Sequence, residues 1–140
     1  MSNLVTIDSA VLYENVVPVL KEYKEIAGAI HFGSSLGKCR PDSDIDIGLI
    51  CNPLLLSQEK ENEKLIEKIL NQLSPVNGHV FDLMVVNTLS SILAFRILKD
   101  GNIFFQHEPK VITDFLEQVS RRYAEDYPRY RTALKLIVGV

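Results

Sequence analysis

Two aspartates one residue apart, Asp44-Ile45-Asp46, stand ten positions after the serine of Gly33-Ser34. An apolar stretch ends at that Gly-Ser pair, a polar loop follows, and a second apolar stretch (residues 45–50) carries the aspartates into the chain. Side chains alternate along a strand, so Asp44 and Asp46 share one side while Ile45 and Ile47 turn into the core. Carboxylates held this close repel each other unless a cation lies between them. The pair therefore predicts a site for a divalent ion, Mg²⁺ above all, which takes oxygen ligands and leaves room for phosphate. Glycine lets a backbone approach phosphate closely, and Ser34 adds a hydroxyl donor, so Gly33 and Ser34 are expected at the phosphate end of a nucleotide. Lys38 and Arg40, in the same loop, are the candidate cations for the outer phosphates. Gly37 is read as a turn residue and Ser43 as the cap of the turn before Asp44. Cys39 reads as an exposed loop thiol. His31, His79 and His107 show no ligand spacing, so no catalytic histidine is expected.

These side chains need a frame. Asp8 or Ser9 can cap a first helix with Val11, Leu12, Val16, Leu20 and Tyr23 on its inner stripe, Pro18 bending it or marking a later start. Residues 27–32 and 44–51 read as strands. Ser57 can cap an amphipathic helix to Leu73, with Leu65, Ile66, Ile69, Leu70 and Leu73 inward. Asn77-Gly78 signals a turn into a third strand, residues 79–86. On that strand Phe81, Leu83 and Val85 share one face, and Val80, Asp82 and Met84 the other. Asp82 is thus the third candidate carboxylate, able to join Asp44 and Asp46 if the two strands are neighbours. Thr88 starts a helix to Leu98 with Gly101 as a left-handed cap, and residues 102–106 form a short strand. Pro109 suits the first turn of a last helix, with Ile112, Phe115, Leu116, Val119 and Tyr123 inward and Pro128 breaking or bending it. The fold class is α+β: a small mixed sheet packed against helices, one domain over residues 1–140, with a helical segment from about residue 109.

Composition is ordinary for a globular protein, 46% hydrophobic and 24% charged, with a net charge of −3. That balance disfavours non-specific nucleic-acid binding and with it a polymerase or tRNA-processing role. Two cysteines form neither a zinc spacing nor a disulfide framework. The opening residues lack a basic segment and a long apolar core, and no apolar run reaches the ~20 residues of a membrane span. A cytoplasmic protein is expected. Tyr123, Tyr127 and Tyr130 recur at helical intervals and read as core or interface packing. Arg121, Arg122, Arg129 and Arg131 make the C-terminal region locally basic. Residues 134–140 are apolar and are expected either to fold back on the core or to be covered by another chain.

Hydrophobic-Gly33-Ser34, about ten residues, Asp44-x-Asp46 and a later Asp82 resemble the nucleotidyltransferase superfamily that includes DNA polymerase β. The small size and the segment after Asp82 resemble its minimal members, the MNT-domain proteins paired with HEPN-domain partners in toxin–antitoxin modules. The resemblance spans residues 27 to about 131, its specific part being the segment 33–46. Many members have an arginine before the second glycine, where this chain has Leu36. The resemblance implies a nucleotidyltransferase-like fold and transfer of AMP from ATP to a tyrosine of a HEPN toxin. It also implies two Mg²⁺ ions on Asp44, Asp46 and Asp82, with Asp82 beside the nucleophile. Two alternatives keep the fold: a nucleotide-binding antitoxin that masks its partner without catalysis, and an enzyme whose acceptor is a small hydroxylated molecule.

Overall fold

The computed structural model describes residues 3–56 and 58–139. Its elements run α1 (Ser9–Leu20), β1 (Ile26–Phe32), β2 (Ile45–Cys51), α2 (Glu59–Gln72), β3 (Phe81–Val85), α3 (Ser91–Asp100), β4 (Asn102–Gln106) and α4 (Pro109–Val138). Single 3₁₀ turns at Ser34–Leu36 and Val86–Thr88 follow β1 and β3. The four strands form one mixed sheet in the order β3-β2-β1-β4. β1 pairs antiparallel with β2 and β4, while β2 and β3 are parallel, joined across α2.

Helices cover both faces, because alternate residues of the inner strands are apolar on both. Ile45, Ile47 and Leu49 of β2, with Phe81, Leu83 and Val85 of β3, pack against Leu12, Val16 and Leu20 of α1 and Leu65 and Ile69 of α2. Ile30 and Ile50, on the other face, pack against Ala94 and Ile97 of α3 and Ile112, Phe115 and Val119 of α4. Leu12, Val16 and Leu20 are fully buried, and each such side chain contributes about 1.5–3 kcal/mol. This alternation also fixes the site. Slipping β2 by one residue would bury Asp46 and expose Ile45 and Ile47.

The element order agrees with the sequence expectation, and several details differ. Asp8 caps α1 through the Ala10 N–H (3.0 Å), but Val11 is exposed rather than inward. The Ser57 cap lies outside the described residues. The helix expected from Thr88 starts at Ser91: residues 86–88 turn first, and Ser90 is the cap, accepting from the Leu93 N–H. Gly101 closes α3 in an extended conformation, not a left-handed one. Neither Pro18 nor Pro128 ends its helix. Each sacrifices one backbone hydrogen bond, and both positions are exposed. No helix among the described residues is long and apolar enough to cross a membrane.

Candidate functional site

Asp46 lies directly opposite Asp82 across the parallel β2–β3 ladder, and opposite Phe32 across the antiparallel β1–β2 ladder. With Ile45 and Ile47 buried on one face, Asp46 must project from the other. It is half-buried there, while Asp44, Asp82, Gly33 and Ser34 are exposed. Gly33 follows Phe32 and brings the chain back over Asp46. Its φ of +83° and ψ of −164° belong to a region open essentially to glycine alone. A Cβ at Gly33 would also collide with the Asp46 carboxylate oxygen Oδ2. The Gly-Ser turn and the β2 aspartate are therefore one packed unit, made possible by the missing side chain.

The carboxylates feel one another. Asp46 is held above the usual carboxylate range, first by its burial, then by the charges of Asp82 and Asp44, and by a hydrogen bond with Asp82. Positive charge placed among these carboxylates would relieve that repulsion. Among the described residues no three acidic, histidine or cysteine side chains form a ready metal cluster, so the close pair is Asp46 with Asp82. Asp44 stands one residue before β2, two positions from Asp46. The donor set is all carboxylate oxygen, and the mutual repulsion felt at Asp46 marks where positive charge is favoured. The facing pair Asp46 and Asp82, with Asp44 two positions away, offers the oxygen chemistry that a hard divalent ion takes. When bound, such ions neutralise phosphate charge and polarise the attacked phosphorus.

The approach to Asp44 is pinned from three directions. The Ser43 carbonyl accepts from His79 Nδ1 (2.7 Å), the Ser43 N–H donates to the Arg40 carbonyl (3.0 Å), and the Ile45 N–H donates to the Val80 carbonyl (2.8 Å). Val5 and Cys39 exchange a pair of backbone hydrogen bonds, both 2.8 Å, tying the loop to the N-terminal segment. Cys39 is consequently buried, 2% exposed, which corrects its reading as a loop thiol. Lys38 is exposed, and Arg40 pairs with Asp42 (Nε–Oδ1 3.3 Å) on the surface. Gly37 has ample space for a Cβ and a negative φ, so the turn there does not depend on glycine.

A polar chain running inward from the surface, its inner members His31 and Ser35 buried, supports the Gly33-Ser34 turn. Asn102 Nδ2 donates to the Tyr13 hydroxyl (3.0 Å), which meets His31 Nδ1 (3.0 Å), and His31 Nε2 meets Ser35 Oγ (2.7 Å). Burial lowers the His31 pKa, keeping the ring neutral. With Nδ1 accepting from Tyr13, Nε2 carries the proton and donates to Ser35. Sequence reasoning gave the histidines no role and so missed that His31 and His79 brace the segments around the aspartates. The one signal was the four-residue spacing of His31 and Ser35 across the glycine; nothing pointed to Tyr13. A separate groove of about 520 Å³ lies at the far end of β2, against Cys51, Val86, Phe115 and Arg122, and none of the three aspartates lines it.

Residues 14–110 match the family model described as polymerase beta, nucleotidyltransferase. No curated relative matches the sequence. Among solved structures, one similar chain belongs to the complex of tri-AMPylated Shewanella oneidensis HEPN toxin with MNT antitoxin. It is 13% identical, with a TM-score of 0.58 over 91% of this chain and 99% of that one. A chain of the toxin–antitoxin MntA–HepT is 12% identical, with a TM-score of 0.57 over 89% and 98% of the two chains. A chain of a toxin–antitoxin with AMP-PNP is 13% identical, with a TM-score of 0.58 over 86% and 97%. At such identities the likeness is one of fold.

Proposed function

Because the chain belongs to the polymerase β nucleotidyltransferase family, we propose that it transfers AMP from ATP to a tyrosine of a HEPN-domain partner and acts as the antitoxin of that pair. The observation that carries this reading is the register: Gly33 packed on Asp46, and Asp46 facing Asp82 across two parallel strands. A triphosphate-binding turn and a carboxylate pair then share one open corner of the sheet. The acceptor is drawn from fold-level likeness to a chain in the complex with a tri-AMPylated HEPN toxin.

In this reading the tyrosine oxygen attacks the α-phosphorus in line. The bond from that phosphorus to the oxygen bridging the β-phosphate breaks, and pyrophosphate leaves. Asp82, exposed beside Asp46, receives the phenolic proton. Asp44, Asp46 and Asp82 hold Mg²⁺, Gly33 and Ser34 approach the phosphates, and Lys38 offers outer-phosphate charge. Arg40 joins it on leaving Asp42, an exposed pair of the kind worth about 0–1 kcal/mol. Most of the protein's work is positioning, which the pinned loop and the buried His31 chain supply. The cytoplasm, where ATP and Mg²⁺ are abundant, suits this chemistry.

Parallel reactions with ATP labelled at the α- or the γ-phosphate test the proposal, using the HEPN-domain protein encoded beside this chain. Label from the α-position alone on the partner, lost with Asp44→Asn/Asp46→Asn, is expected. Silencing of the partner by the double variant at full strength, without label, would replace catalysis with masking by contact.

A further inference from the structure

Helix α4 outruns the body of the protein. At 1.5 Å per residue its 30 residues span about 45 Å. Its buried residues, Ile112, Phe115 and Val119, all lie in the first half. The inner stripe nevertheless continues without interruption. From Ile112 it steps by fours and threes through Leu116, Val119 and Tyr123 to Tyr127, Tyr130, Leu134 and Ile137, the spacing of a helix seam. The first part of this extension is braced by α3. Phe95 stacks on Tyr123 with ring centroids 3.8 Å apart, Arg96 donates to the Tyr130 hydroxyl (3.1 Å) and lies over its ring, and Ser91 donates to Asp126 (2.6 Å). Leu134 is still half-buried, and beyond it the side chains stand open. Ile137 is 81% exposed and Val138 62%. Within the apolar end that was expected to fold back or be covered, residues 136–138 do not fold back, and Val140 lies outside the described residues.

Charge identifies what covers it. Residues 120–138 hold five cations and two anions in a chain of net charge −3. On the helical wheel, Arg131 and Lys135 border one edge of the stripe, and Arg122 and Arg129 border the other. Of the two acids, Asp126 is engaged by Ser91, and Glu125 falls on the opposite face. Flanking charges select the partner of a helix seam. Pairing with α4 of a second copy, parallel or antiparallel, would set cation against cation along both edges. α2 of a second copy mixes lysines with its glutamates and offers no acidic flank.

We propose that the distal half of α4, Tyr127 to Val138, is the docking surface for an amphipathic helix of a partner protein whose flanks are acidic. This deepens the antitoxin reading by naming the partner-facing surface. It rests on that reading only for the partner's identity, since stripe and charges are properties of this chain alone. The braced tyrosines supply a pre-ordered aromatic floor, and such rigid anchors lower the entropic cost of association.

Two designed 21-residue peptides test the chemistry, both with leucine at the seam positions, one with glutamate and one with lysine at the flanks. Binding to the full chain is followed by fluorescence anisotropy at two salt concentrations. The glutamate peptide is expected to bind, more weakly at high salt, and the lysine peptide not to. Ile137→Glu should weaken binding by about tenfold or more. Leu136→Glu should leave it unchanged: Leu136 is equally exposed, at 82%, but lies on the opposite face. Equal binding of both peptides, equal loss with both variants, or light scattering showing a stable dimer that Ile137→Glu dissociates would overturn the proposal. Co-purification of the HEPN-domain protein gives the second arm, with loss expected for Ile137→Glu and retention for Leu136→Glu. AMP transfer without that difference would leave the catalytic reading standing and reject this surface. The difference without AMP transfer would do the reverse.

Discussion

Adding one methyl group at Gly33 strikes the backbone and the acid site together. With φ +83° and ψ −164°, an alanine there occupies a region that costs about 1–3 kcal/mol for a residue with a side chain. The new Cβ also meets Asp46 Oδ2, so the carboxylate must rotate away from Asp82 or the turn must lift. The backbone term alone, at roughly 3–4 °C per kcal/mol for a domain of this size, lowers the melting temperature by about 3–12 °C. If the proposed function holds, the displaced carboxylate adds a second effect, loss of the stabilisation expected from Mg²⁺ with a non-hydrolysable ATP analogue. Gly37→Ala is the internal control, four residues away in the same loop. No atom lies within 4 Å of its Cβ position and its φ is −128°, so its melting temperature should stay within about 2 °C of native, the equivalent of roughly 0.5 kcal/mol. Differential scanning fluorimetry of the three proteins, with and without Mg²⁺ and analogue, reads both effects. If Gly33→Ala melts like Gly37→Ala and keeps the full ligand response, the turn and Asp46 are not the packed unit described.

Three further outcomes follow from the titratable groups. Asp46 has a raised pKa, so the folded state binds the extra proton and stability falls as pH rises from 3.8 through the raised value. In chelator-treated protein, Asp46→Asn should therefore melt higher than native at pH 7, with the gain vanishing near pH 4; a constant gain would deny the raised pKa. His31 has a lowered pKa from burial, so the opposite slope applies, with stability lost as pH falls below 6.5. A Ser35→Ala variant should be destabilised by about 1–3 kcal/mol, the cost of stranding a buried donor, whereas an unchanged denaturation midpoint would remove His31 from the turn's support. Cys39 and Cys51 are both buried, and burial pushes the Cys51 thiol up to about 12, with Glu25 adding to it. A disulfide reagent should react with neither before unfolding, and fast labelling at pH 8 would contradict the core packing.

The sequence carried the frame of the site because that frame obeys period-two alternation. Ile45, Ile47 and Leu49 needed one face, which left Asp46 on the other, and the same parity placed Asp82 beside Met84. Whether β2 and β3 are neighbours was not legible, since strand order is a matter of packing rather than of local pattern. The start of α3 was misplaced because Thr88 and Ser90 are both good caps, and the intervening 3₁₀ turn has no strong signature. Gly101 was given a left-handed conformation on residue type alone. Its actual constraint is space: a Cβ there would come within 2.7 Å of Ile30 Cγ1 and the Ile97 carbonyl. Cys39 looked exposed because it sits among polar residues, and only its pairing with Val5, 34 positions earlier, buries it. The Tyr13–His31–Ser35 chain joins α1, β1 and the turn after it, contacts that no local pattern encodes.

Tyrosine-resolved mass spectrometry of the HEPN-domain partner, co-expressed with this chain and purified as the complex, tests the central claim most directly. The account predicts AMP on a partner tyrosine with the native chain, and unmodified partner with Asp44→Asn/Asp46→Asn in an equally stable complex. A partner that is silenced and unmodified with both chains would contradict it.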